Sequence, residues 1–559
     1  MMRMTDLVDP ATVTILQHAL HRIAEEMGVN LLHAARSTVI REARDCSCAL
    51  LDARGRIIAE AEHIPVQMSS LSLPLMACLR KFHTIAPGEV FVINDPYQGG
   101  QHLQDIIIFT PVFVDGELLG FAGSIAHHVD IGGASAGLTF DATETFQEGL
   151  RLPGLRLNAE RDFAPGGIFY DVIAANVRAP HTTIGDLRAQ LAANHVGVMR
   201  LQELARQYGL ATLRLGIEAS LDYAERLIRE GIASIPDGVY RAEDVIDSGV
   251  FTPHPIPIRV TLTVQGSDLV VDFTGTHPQV PEFINVPLGS TYSTTYSVIK
   301  MVLSSGGRRI PANDGCYRPI KILVPEGSLL NPTPPFAVRA RMCGAYRIFD
   351  AILLALAQAI PDRVPALGFH VNTTTGFSRF ADGRYWIFIE DLGGGWGGTP
   401  IGDGADGLDA PLSNCRVTPV EALELDHPYL RVERYALLPN SGGAGEFRGG
   451  LGAVREYRVL ADGVEFFGYA DRHRFPPRGL AGGMDGTCGA FRLIHRGRGR
   501  RLPSKIKCRV QPGDLVQVRL GGGGGYGPPP KREPARAQED ARLGKVTRPR
   551  IRRRAEPHP

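Results

Sequence analysis

Apolar residues recur at helical spacing from residue 10 onward. Val13, Leu16, Leu20, Ile23 and Met27 fall on one stripe. Asp9-Pro10 just ahead offers a cap and a first-turn proline, so an amphipathic helix is predicted over residues 10–40. The period then drops to two: Cys46 to Leu51, a turn from Asp52 to Gly55, and Arg56 to Ala59 read as strand, turn, strand. Further strands are expected at residues 90–94, 106–114 and 118–126, the last two joined by the hairpin signal Asp115-Gly116. Residues 180–235 carry a helical stripe, strands return between 240 and 330, and residues 345–360 form another helix. From there to about residue 527, glycine turns alternate with short strands.

This order predicts an α+β chain, multi-domain and mixed α/β with a β-rich C-terminal unit. The expected divisions are an N-terminal α+β region (1–240), a central α+β region (241–420) and the β-rich region (421–528). Past Gly527, proline and charge dominate, so the basic tail 529–559 is expected to be disordered and dispensable. Its cluster of Arg550, Arg552, Arg553 and Arg554 is read as solvated charge. No internal repeat of fixed period is evident.

Composition narrows the function classes. With 559 residues, 44% hydrophobic and 21% charged, the chain can bury large cores. A formal net charge of +1 gives no reason to expect nucleic acid or a membrane surface as partner. The first residues hold no apolar run of signal-peptide or membrane-spanning length, so a soluble, cytoplasmic chain is expected. Eight scattered cysteines without a CxxC pair fit a reducing compartment better than a disulfide framework.

The chemistry is concentrated in NDPYQGGQHLQD (residues 94–105) and AHHVDIGG (residues 126–133). Each segment sets His and Asp at the end of an expected strand beside glycines, where side chains from distant positions can converge. Two imidazoles with two carboxylates suit Zn²⁺, Mn²⁺ or Fe²⁺. With one position left open, such a cation lowers the pKa of its water to roughly 7. Cys46 and Cys48 share one face of a strand and are read as small buried residues, the alternative being a thiolate ligand or nucleophile. The glycine runs at 393–398 and 521–527 match neither GxxxxGK[ST] nor a strand-linked GxGxxG, and are read as tight turns or close backbone packing. Glu390-Asp391 is read as a solvated strand end, the alternative being a carboxylate pair, and Trp396 as lining either a pocket or a subunit contact. No Ser-His-Asp order or nucleophile elbow competes with the metal reading.

RDCSCALLD (residues 44–52) and the two segments above resemble signature blocks of the hydantoinase B/oxoprolinase family. So do EGLRLP, NVRAP with GDLRAQLAA, RVERYALLPNSGGAGEFRGGLG, PPRGLAGG and GGGGGYGPP, in the same order along residues 5–528. The resemblance implies a divalent metal, Zn²⁺ or Mn²⁺, held by Asp45, His102, Asp105 and His127. His128 and Asp130 would then serve catalysis by supporting the ligands from behind or as proton carriers, although the sequence leaves open which histidine of the pair is the ligand. It further implies a B-type subunit of an ATP-dependent hydrolase opening a small cyclic amide such as a hydantoin, 5-oxoproline or a lactam. ATP would act through a hydantoinase A-type ATPase subunit in a hetero-oligomer. An acetone-carboxylase-like subunit and a non-catalytic scaffold for the ATPase are the alternatives.

Overall fold

Asp9 caps the first helix, its carboxylate accepting from the Thr12 N–H at 3.0 Å, and Pro10 opens it. This helix, α1 (Pro10–Ala34), buries Leu16, Leu20, Ile23 and Met27 of the expected stripe. The protein is described here by a computed structural model covering residues 8–547, apart from residues 62, 305, 306 and 308.

The N-terminal sheet contains β1 (Cys46–Asp52), β2 (Ile57–Ala61), β3 (Glu89–Ile93), β4 (Asp105–Val114), β5 (Glu117–His127) and β6 (Leu155–Asn158). Its order is β2-β1-β5-β4-β3-β6, with every ladder antiparallel. The β4–β5 hairpin turns at Asp115 and Gly116, both with positive φ (50° and 84°), as a type I′ turn demands. Both faces of β1 are apolar because both are covered. Cys46, Cys48 and Leu50 pack under α1 and the helices α2 (Pro180–Tyr208) and α3 (Leu210–Ala233). Ala49 and Leu51 pack on the other side with Ile107, Phe109, Phe121 and Ile125. This parity later decides which side chains share the site.

The central unit is a four-stranded sheet, β10-β9-β8-β7, formed by β7 (Gly238–Ile246), β8 (Ile256–Gln265), β9 (Asp268–Asp272) and β10 (Ile320–Leu323). It packs with helices α4 (Leu288–Leu303) and α5 (Met342–Ala359) into the largest apolar cluster. Helix α5 is the one described helix long and apolar enough to cross a membrane, and most of it is buried in this cluster.

The β-rich unit starts earlier than residue 421. Strands β11 (Thr373–Ala381) and β12 (Arg384–Leu392) form one sheet with β15 (Val464–Tyr469) and β18 (Lys505–Val510), in the order β12-β11-β15-β18. Long-range pairing of β11 with β15, which no local pattern encodes, sets this boundary. A second sheet holds β13 (Leu430–Leu437), β14 (Ala453–Val459), β16 (Ala490–His495), β17 (Arg498–Leu502) and β19 (Leu515–Arg519). The glycine runs pack backbone against backbone: the Gly395 N–H donates to the Gly521 carbonyl at 3.0 Å and that of Gly398 to Gly524 at 2.9 Å. A Cβ at Gly450 would collide with the carbonyl of Ala405, so only glycine fits that approach.

The tail departs from expectation. Helix α6 (Pro534–Arg542) is formed and docked. Arg532 donates to both carboxylate oxygens of Asp403 (2.8 and 2.9 Å) and to Asp540 (2.6 Å), and Lys545 lies 2.7 Å from Asp406. Ion pairs, not apolar burial, hold the segment, which is why composition alone reads it as disordered. Arg550, Arg552, Arg553 and Arg554 lie outside the described residues.

Candidate metal centre

Three strand ends meet where β1, β5 and β4 lie side by side. Asp105 opens β4, His127 closes β5 as its direct partner, and Asp45 precedes β1, its carbonyl accepting from the His127 N–H at 3.0 Å. By the two-residue alternation, Asp45, Asp105 and His127 share the face of Ala49, Ile107 and Ile125. His102 joins them from the turn before β4, closed by the Asp105 N–H on the His102 carbonyl at 2.9 Å.

The four side chains converge. His102 Nε2 lies 3.1 Å from Asp105 Oδ1 and 3.1 Å from His127 Nδ1. His127 Nδ1 is 3.3 Å from Asp105 Oδ1 and 3.6 Å from Asp45 Oδ2. All four residues are buried, Asp105 completely. Asp105 Oδ1 nevertheless has no aligned hydrogen-bond donor. His102 Nδ1 lies 3.1 Å from both the carbonyl and the Nη1 of Arg339, which leaves Nε2 turned toward Asp105 Oδ1 and His127. The Asp105 oxygen and the ring nitrogens thus face one another in a buried site, where a cation between them would satisfy all three. The residues present fit a divalent metal.

The surroundings shift His102, His127 and Asp105 toward the ligating form and Asp45 away from it. Burial, reinforced by Arg341, pushes His102 well below the ordinary imidazole value, and burial likewise lowers His127. Burial would raise Asp105, but His102 and the Arg341 guanidinium outweigh it and hold the carboxyl well below the usual range. Arg341 Nη2 grips Asp105 Oδ2 at 2.7 Å, leaving Oδ1 to face the histidines. Asp45 is raised, by burial first and then by Asp105, while the Gln67 amide donates to its Oδ1 at 2.6 Å. Arg339 stands at both rings, Nη1 3.1 Å from His102 Nδ1 and 3.4 Å from His127 Nε2, and its Nε has no partner.

His128 and Asp130 are not brought to this cluster. His128 has the opposite parity and points to α2, where its Nε2 lies 3.0 Å from Gln190 Oε1. The Asp130 carboxylate accepts from the Arg178 N–H and pairs with its guanidinium at 3.5 Å, tying its loop to the segment before α2. Cys46 and Cys48 face the α1 side and are fully buried, with the Cys48 thiol pushed up to about 12 by burial. Trp396 donates to the Asp409 carbonyl at 2.8 Å and meets the His370 ring edge-on.

Sequence reasoning missed Gln67, Arg339, Arg341 and Cys415, which all come from elements remote in the chain, and misread Asp391. Glu390-Asp391 is not a solvated strand end. Glu390 is buried against Arg455 and Tyr457, and Asp391 lines the metal-site cavity. That cavity is about 30 Å³, room for an ion or a water or two but not for a ring substrate.

Residues 9–529 match the family model described as Hydantoinase B/oxoprolinase. The chain belongs to the hydantoinase B/oxoprolinase family. A family member from Pseudomonas sp. (strain NS671), named as the B-type chain of a D-/L-hydantoinase, is 36% identical over 97% of this chain and 94% of its own. The beta chain of the Pseudomonas jessenii caprolactamase is 33% identical over the same shares. 5-Oxoprolinase 1 of Arabidopsis thaliana is 31% identical over 93% of this chain, which spans 42% of that longer protein. Among solved structures, the ATP-dependent caprolactamase from Pseudomonas jessenii superposes with a TM-score of 0.87 at 31% identity, covering 96% of this chain and 94% of the other. A nucleotide-free acetone carboxylase has a TM-score of 0.85 at 18% identity over 96% and 78%, a likeness of fold alone.

Proposed function

We propose that this family member is the B-type subunit of an ATP-dependent hydrolase that opens a cyclic amide: a hydantoin, 5-oxoproline or a lactam. Asp45, His102, Asp105 and His127 would hold one divalent cation, Zn²⁺ or Mn²⁺. The observation that carries this reading is the buried convergence of two imidazoles on the undonated Oδ1 of Asp105. A divalent cation bound there supplies Lewis acidity and brings the pKa of coordinated water to about 7.

The chain's own residues set the conditions for that chemistry. Arg341 and Gln67 orient the two carboxylates. Burial lowers the pKa of both histidines and so favours their ligating, neutral form. Arg339, which lines the cavity and has an unpartnered Nε, would donate to negative charge developing on an acyl or phosphoryl oxygen. The small cavity requires the surrounding segments to part before a ring can enter.

Amides are poor electrophiles, and ATP would activate the ring through an A-type ATPase subunit in a hetero-oligomer. Relatives named as one chain of a multi-chain hydantoinase or caprolactamase support this division of labour. The test is co-purification with an A-type partner, followed by assays with hydantoin, 5-oxoproline and caprolactam with and without ATP. ATP-dependent ring opening is expected with one of them. Incorporation of bicarbonate carbon into a ketone instead would replace this reading with the carboxylase one.

A further inference from the structure

Asp45 has a second set of neighbours. Asp391, next to the end of β12, and Cys415, in the segment that follows, place a carboxylate oxygen and Sγ within 4.8 Å of each other and of an Asp45 oxygen. A tetrahedral site with bonds of about 2.1 Å needs ligand atoms about 3.4 Å apart, so closing on a cation requires movement of roughly an ångström.

Two observations beyond this proximity point to a ligand. The Cys415 side chain is 7% exposed, and its thiol makes no hydrogen bond among the described residues. Asn372, equally buried, leaves its carbonyl Oδ1 without a partner on the same cavity. It is tied to the cluster through Thr374, whose hydroxyl lies 3.5 Å from Asn372 Nδ2 and donates to Asp391 Oδ1 at 2.5 Å. Unsatisfied polar groups are costly in a buried cavity, and here they gather around two carboxylates of like charge.

We propose that Asp45, Asp391 and Cys415 form a second divalent-cation site, sharing Asp45 with the His102–Asp105–His127 site. A mixed thiolate and carboxylate set suits a borderline cation such as Zn²⁺ or Co²⁺ and disfavours Mg²⁺ and Ca²⁺. On binding, the Cys415 S–H proton is released to solvent and an S–metal bond takes its place, with no change of oxidation state. One carboxylate serving both sets resembles the geometry of two-metal centres, whose ions sit about 3.5–4 Å apart.

Titration of the full, metal-free chain with Co²⁺ under reducing conditions tests this. The expected result is two Co²⁺ per chain and a near-ultraviolet thiolate-to-cobalt charge-transfer band. Cys415→Ser should remove the band and lower the stoichiometry to one. Asp391→Asn should keep the fold and weaken the second equivalent by about tenfold or more. His102→Ala should lose the other equivalent and retain the band, which separates failure of this site from failure of the four-ligand one. A folded wild-type chain that saturates at one Co²⁺ without a thiolate band overturns the proposal, as does a band that survives Cys415→Ser.

Discussion

Asp105 and His127 are direct partners across the β4–β5 ladder, with His127 Nδ1 3.3 Å from Asp105 Oδ1. A bulge makes them so. Val114 pairs with Glu117 and Phe113 with Leu118, but Val112 pairs with Gly120, leaving Leu119 as the extra residue. If the ladder ran on regularly from the turn with Leu119 paired, Ala126 would sit opposite Asp105, and His128 would share the Asp105 face in place of His127.

Removing one imidazole should therefore empty the four-ligand site. His102→Ala is expected to lose its Zn²⁺ or Mn²⁺, measured by elemental analysis of the folded chain, and to abolish ring opening with the A-type partner. ATP cleavage by that partner should survive in part, because activation precedes attack on the ring. Ring opening at the wild-type rate in this variant would place hydrolysis elsewhere.

Arg341 shields the charge of Asp105 in the fold. Arg341→Met should leave a buried carboxylate without its guanidinium and cost on the order of 3–5 kcal/mol in chemical unfolding of the metal-free chain. Added Zn²⁺ should restore part of that loss by replacing the missing positive charge. A variant as stable as wild type without metal would show that Asp105 is compensated by other groups.

The docked segment after residue 528 should contribute to stability. Arg532→Ala breaks a bidentate pair with Asp403 and a bond to Asp540, and a cost of about 1–3 kcal/mol is expected. Truncation after Pro528 should also speed proteolysis around Asp403 and Arg448. Unchanged melting and digestion patterns would mean that the segment detaches in solution.

Acid should destabilise the β-rich unit through His473. Burial, with Lys505 and Arg501 nearby, holds this imidazole at about 3 against its ordinary 6.5. Below pH 6.5 the unfolded chain binds a proton that the folded chain refuses. The contribution is therefore complete above pH 6.5 and is lost as pH falls toward 3, by about 2 kcal/mol at pH 5. His473→Gln should flatten the dependence of the melting temperature on pH between 7 and 5. An unchanged slope would show that other groups dominate it.

Local pattern alone accounts for the elements and most of the ligand types. The stripe from Leu16 to Met27 fixes α1 because burial needs one continuous face. Asp115-Gly116 fixes a hairpin because the turn needs two positive φ angles. The glycine-flanked blocks put His102, Asp105 and His127 at strand ends. The same pattern could not choose between His127 and His128, since one extra residue at Leu119 reverses the face of every residue beyond it. Nor could it show Arg339, Arg341, Asp391 or Cys415, whose approach to Asp45 and Asp105 depends on how the units pack. Residues 529–547 escape it for a related reason. Hydropathy registers apolar burial, whereas Arg532 is held by carboxylates from distant positions, and opposite charges of that kind meet only when the chain has packed.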